Sequence, residues 1–167
     1  PTATPAIQGR KAIPLADGIA FRGHVDEIRQ EGGGEGTPRQ ANVAFILDAS
    51  GSMNADLPVA GKSKLSVAKE VMTELLPQVP AEVQGALWIY GHRYPQEPKD
   101  KSCQDIEQVY ALGAVDAAAY VQAVQAVTAI GYTPISDAIE QAARDLLPGD
   151  VNSIVLVSDG EETCGGD

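Results

Sequence analysis

Two short runs of this chain, VAFIL at 43–47 and SIVLV at 153–157, are apolar at nearly every position. A strand that buries one face alternates apolar and polar side chains, so an unbroken run signals a strand covered on both faces. Between these runs lie helical patterns. KSKLSVAKEVMTELL places Leu65, Ala68, Val71 or Met72, Leu75 and Leu76 at helical spacing, with Pro77 and Pro80 to stop it. VQGALWIYG reads as a second strand and IEQVYAL as a weaker one. Asp116 is placed to cap the helix AAAYVQAVQAVTA, and PISDAIEQAARDLL is a further helix with Pro134 in its first turn. The order from Asn42 onward is β-α-β-β-α-α-β, which requires a layered α/β sheet with helices on both faces.

A chain of 167 residues fits one domain with a real core. Residues 1–41 read as a linker and N-terminal extension, and 42–167 as the N-terminal part of a domain whose last strands and helix are expected to lie outside this chain. PTATPAIQG is extended linker by composition, IAFRGHVDEIRQ an edge strand or short helix, and EGGGEGTPRQ flexible. The first residue is Pro1 rather than Met, which predicts a longer gene product. With 12 basic and 23 acidic residues the formal charge is -11, which disfavours nucleic acid and anionic membrane surfaces and concentrates cations nearby. The longest apolar runs fall far short of the roughly 20 residues of a membrane span. SIVLV left bare at a sheet edge would template aggregation, so something must pair with it or cover it, and a partner segment missing from this chain is expected.

In parallel α/β sheets, ligands bind beyond the carboxyl ends of the strands. DASGS (48–52) and SDGEE (158–162) lie at such ends, and IGYTPIS leads into a helix that starts on the same side. Asp48, Ser50, Ser52, Thr133 and Asp159 are thereby expected on one rim. Each has a plain alternative, as helix cap or turn former. Together, carboxylate and hydroxyl oxygens without imidazole or thiolate suit a hard cation such as Mg²⁺, Mn²⁺ or Ca²⁺. A site with so few carboxylates leaves the ion with uncompensated charge, which an acidic group of a partner protein would meet.

These residues carry a family resemblance. FILDASGSM resembles the Asp-x-Ser-x-Ser motif of von Willebrand factor A domains, GYTPISDAI their threonine loop and IVLVSDGEET their third motif. The resemblance spans about residues 42–163 and implies a Rossmann-like, doubly wound, mostly parallel sheet with a metal-ion-dependent adhesion site. By that resemblance Ser50, Ser52 and Thr133 bind the ion directly, Asp48 and Asp159 act largely through water, and a ligand carboxylate fills the open position. It also implies a cell-surface, extracellular or periplasmic bacterial protein.

Domains of this kind continue past the third motif with two more strands and a closing helix. In the bacterial subgroup that YGHR and SDGEETCGGD resemble, Pro and then Cys often follow. Asp-Pro is an acid-labile bond, so self-processing after Asp167, with the C-terminal remainder held as a second chain, is one expectation; a chain end of other origin is the alternative. Cys103 and Cys164 each follow a strand on the metal rim, and a disulfide between them would pin the loop HRYPQEPKDKSC over it. A cysteine beyond Asp167 is a competing partner for Cys164. Other chemistries fit less well: Gly-x-Ser-x-Gly is absent around Ser50, AGKSK lacks the glycine and the leading strand of a phosphate loop, and His92 suits a loop hydrogen bond better than a general base. Trp88 and Tyr90 read as packing residues.

Overall fold

The computed structural model describes residues 11–15, 19–23, 39–58, 61–146 and 150–165. Six strands form one sheet: β1 (Lys11–Leu15), β2 (Ile19–Gly23), β3 (Ala41–Asp48), β4 (Gln84–Tyr90), β5 (Ile106–Ala114) and β6 (Val151–Ser158), in the spatial order β1-β2-β6-β3-β4-β5. Its centre is parallel, with β6 and β4 on either side of β3. β5, β2 and β1 are added antiparallel. Among the described residues four α-helices accompany the sheet: α1 (Lys64–Leu75), α2 (Lys99–Cys103), α3 (Ala117–Ala126) and α4 (Ile135–Asp145).

The unbroken apolar run of β3 is explained by two cores. Val43, Phe45 and Leu47 pack with Leu65, Ala68 and Met72 of α1 and Tyr120 and Val124 of α3. Ala44 and Ile46 point the other way, toward Ala138 and Ala142 of α4, with Trp88 and Tyr90 in the same cluster. Each large apolar side chain buried this way stabilises the fold by about 1.5–3 kcal/mol. Ser63 caps α1 through the Ser66 N–H at 3.2 Å, and Asp116 caps α3 through the Ala119 N–H at 3.0 Å. Pro77 falls in a 3-10 turn, Leu76–Gln78, that ends α1. Pro134 stands at the N-cap position of α4 rather than inside its first turn.

Two findings correct the sequence reading. The polar loop after β4 contains a one-turn helix, α2, which composition did not signal. The outer side of β6 is not bare: β2 pairs with it antiparallel, Ala20 opposite Ser158 and Arg22 opposite Leu156. A partner for the end of SIVLV, Leu156 and Val157, is therefore not missing from this chain: it comes from the N-terminal extension, which carries sheet strands. PTATPAIQG, Gly32 to Gly34 and Asp167 lie outside the described residues. Among the described residues no helix is long and apolar enough to cross a membrane.

Candidate metal centre

Strand register assembles the rim. β3 and β6 run parallel with Leu47 opposite Val157, so Asp48 and Ser158 come level at the carboxyl ends of neighbouring strands. On the other side Asp48 pairs with Tyr90, which sets Gly91 beside Ala49. The threonine loop then docks onto both. Gly51 N–H donates to Gly131 O at 2.8 Å, Ile130 N–H to Ala49 O at 3.1 Å and Gly131 N–H to Gly91 O at 2.8 Å. This contact is backbone against backbone. A Cβ on Gly131 would lie 2.8 Å from Gly91 Cα, and one on Gly91, whose φ is 73°, would lie 2.8 Å from Tyr132 O. Only glycine fits such an approach, and the left-handed φ at Gly91 suits it as well.

Asp48 sits at the base of the site, fully buried. Its Oδ1 accepts the Ser50 N–H at 2.7 Å and its Oδ2 the Ser158 hydroxyl at 2.7 Å. Burial pushes its carboxyl above the usual carboxylate range, against the opposing pull of the hydrogen bonds from Ser158 and Ser50. Above it runs a chain of oxygens: Ser50 Oγ lies 3.0 Å from Ser52 Oγ, and the Ser52 hydroxyl donates to Asp159 Oδ1 at 3.0 Å. The other oxygen of Asp159 accepts from Lys64 Nζ at 2.8 Å. Ser50 and Thr133 are buried, whereas Ser52 is exposed, so the site opens to solvent at one side.

Thr133 is positioned by the segment after β6. Its N–H donates to Thr163 Oγ1 at 2.9 Å, and its carbonyl accepts the Thr163 N–H at 3.1 Å. Glu162 accepts the Ser136 N–H in the first turn of α4 at 3.0 Å and the Cys164 N–H at 2.6 Å. Cys164 is bonded to Cys103 at the end of α2, one of the two pairings the sequence leaves open for it. From α2, Ser102 Oγ accepts the Tyr132 N–H at 2.9 Å. The threonine loop is thus held from three sides.

The structure brings Asp48, Ser50, Ser52 and Asp159 into one hydrogen-bonded group and seats the Thr133 loop against it. The donor set fits a hard divalent cation, since its atoms are carboxylate and hydroxyl oxygens. Among the described residues no cluster of three or more His, Cys, Asp and Glu offers a different kind of centre. Sequence reasoning missed Lys64, Ser158, Glu162 and Thr163. Ser158 and Thr163 lie within the quoted third motif, but Lys64 is 95 residues from Asp159 and no local pattern links them. His92 pairs with Glu107 at 2.8 Å, and Trp88 and Tyr90 are buried, in keeping with the packing and loop roles expected of them.

Comparison with known proteins gives the family and the fold. Residues 43–162 match the model of the von Willebrand factor type A domain. Over 131 residues the chain is 33% identical to the uncharacterized protein YwmC and 30% identical to the uncharacterized protein YwmD, both of Bacillus subtilis (strain 168). Each match covers 75% of this chain, which spans only 57% and 58% of those relatives. Among solved structures, an aerotolerance-related membrane protein from Bacteroides fragilis superposes with a TM-score of 0.57 at 23% identity, covering 75% of this chain and 57% of that one. The pilus adhesin SpaC from Lactobacillus rhamnosus GG gives 0.51 at 15% identity, covering 83% of this chain and 19% of that one. At these identities the likeness is one of fold.

Proposed function

We propose, from the premise that this chain belongs to the von Willebrand factor type A domain family, that it is a divalent-cation-dependent protein-binding module whose target is a carboxylate on a partner protein. The observation that carries the reading is the oxygen chain from Ser50 through Ser52 to Asp159, set over the buried carboxylate of Asp48. Asp48, Ser50, Ser52, Thr133 and Asp159 would hold Mg²⁺, Mn²⁺ or Ca²⁺. When bound, such an ion supplies a localised positive charge to which a carboxylate coordinates. The protein's own part is to keep the hydroxyls converged and to place that charge in a chain that is otherwise acidic, with a formal charge of -11.

The adhesin among the structural neighbours supports a role in surface attachment. The bridge between Cys103 and Cys164 supports an oxidising location, extracellular or periplasmic, because cytosolic thiols are kept reduced. Calorimetric titration with Mn²⁺ tests the cation reading. Saturable binding is expected for the wild type and should vanish in Asp48→Ala and weaken in Thr133→Ala. Capture of the protein on a surface of carboxylate-bearing peptide should need Mn²⁺ and be reversed by EDTA. Equal Mn²⁺ binding by wild type and Asp48→Ala would sink the proposal, since surface charge alone would then account for it.

A further inference from the structure

We infer that Lys64 is a built-in counter-ion of the candidate cation site and sets the concentration at which the site loads. Lys64 is the first residue of α1, directly after the cap Ser63. A cation there opposes the helix dipole, whose positive end lies at the N-terminus, so helix stability does not account for its placement. Its ammonium instead reaches the rim and lies 2.8 Å from Asp159 Oδ2. The Asp159 side chain is 6% exposed and that of Lys64 24%, so the pair is largely shielded from water. The backbone of Lys64 is also held, its N–H donating to Ala55 O at 3.0 Å, which keeps the side chain within reach.

Between them Lys64 and Ser52 take both oxygens of Asp159. A divalent cation entering among Ser50, Ser52 and Asp159 meets a unit positive charge already satisfying that carboxylate. Either the ammonium leaves Asp159, losing its ion pair, or it stays and repels the ion across a short distance. Both routes weaken the apparent affinity. Removing the charge while keeping the fold therefore tightens cation binding, on the order of tenfold for charges a few ångströms apart in a partly solvated site. A simple structural bridge between α1 and the loop after β6 predicts the reverse, because its loss would loosen the site.

The inference rests on the cation reading above, and the test separates the two. Mn²⁺ is titrated calorimetrically into wild type, Lys64→Gln, Lys64→Arg and Asp48→Ala, with urea unfolding in EDTA to establish that each variant folds. Lys64→Gln should bind Mn²⁺ about tenfold more tightly, Lys64→Arg like the wild type and Asp48→Ala not at all. If Lys64→Gln does not fold, Lys64→Met, which keeps an unbranched stem of similar length, takes its place. Unchanged or weaker binding by the neutral variant, with wild-type binding abolished in Asp48→Ala, overturns the role of Lys64 and leaves the cation site standing. No saturable binding by wild type or the neutral variant overturns both.

Discussion

Removing the bridge between Cys103 and Cys164 should cost the domain a large share of its stability and loosen the cation site at once. The two cysteines are 61 residues apart, and closing a loop of that length lowers the entropy of the unfolded chain enough to stabilise the fold by about 4 kcal/mol at 25 °C. Residual structure in the unfolded state makes this an upper figure. Single domains are stable by about 5–15 kcal/mol, so the loss is severe but need not abolish folding. The perturbation is the double variant Cys103→Ala with Cys164→Ala, which leaves no lone thiol. Trp88, the single tryptophan and 7% exposed, reports unfolding by fluorescence. With a urea slope of about 2 kcal/mol per molar, the midpoint should fall by about 2 M. Mn²⁺ affinity should fall too, because Thr163, next to Cys164, holds the backbone of Thr133. A midpoint shift below about 0.5 M, a quarter of the value from loop closure, would refute the reasoning. Ready alkylation of both cysteines in the native, unreduced protein would remove its premise.

The other expectations concern the site and the sheet. Asp48→Asn should abolish Mn²⁺ binding yet leave the protein in EDTA at least as stable as the wild type at pH 7, by thermal unfolding. The folded Asp48 carboxyl titrates above its unfolded value, so its contribution to stability is greatest when it is protonated and falls as pH rises through that folded value. The asparagine variant should therefore lose part of the metal-free decline in stability between acid and neutral pH, and a steeper decline in the variant would contradict this. Gly131→Ala should destabilise the fold by about 1–3 kcal/mol, because its Cβ would meet the Gly91 backbone at 2.8 and 3.0 Å as well as Ser102 Oγ at 3.0 Å, and should weaken Mn²⁺ binding; a neutral effect on both would count against the close approach. Deleting residues 1–23 should increase aggregation, measured by light scattering, since β2 no longer covers β6.

The parts of this molecule that were legible in its sequence are those governed by local pattern. β3 showed as a continuous apolar run because it is buried between two neighbours and two layers, and β6, only half-buried along most of its length, showed as one because it lies between β3 and β2; α1 and α3 showed through spacing, with a cap on α3. DASGS, the threonine loop and SDG were readable as one rim because they stand at strand or helix ends of matching direction. What escaped notice depends on distant partners. α2 is a five-residue polar helix, KDKSC, and its Ser102 and Cys103 are tied to Tyr132 and Cys164 rather than to any pattern of its own. β2 was left undecided between strand and helix because its partner, β6, lies at the other end of the chain. Lys64 has no sequence signal of its own, because Asp159, its partner, is 95 residues away.

The same register has a consequence for how the chain is made. β3, the most buried strand, finds its β6 neighbour only across 110 residues, as in the contact of Asn42 with Asn152. During synthesis from the N-terminus, β3 can pair with β4 early but must wait for β6 before its other side is covered, and β2 reaches β6 across a longer separation still, Ala20 to Ser158. Pairings this distant are slow to form and leave strand edges open to other chains in the interval. Of the described strands β6 emerges last, and the candidate rim, built on Asp48 and Ser158 together, comes into being only once it has paired with β3.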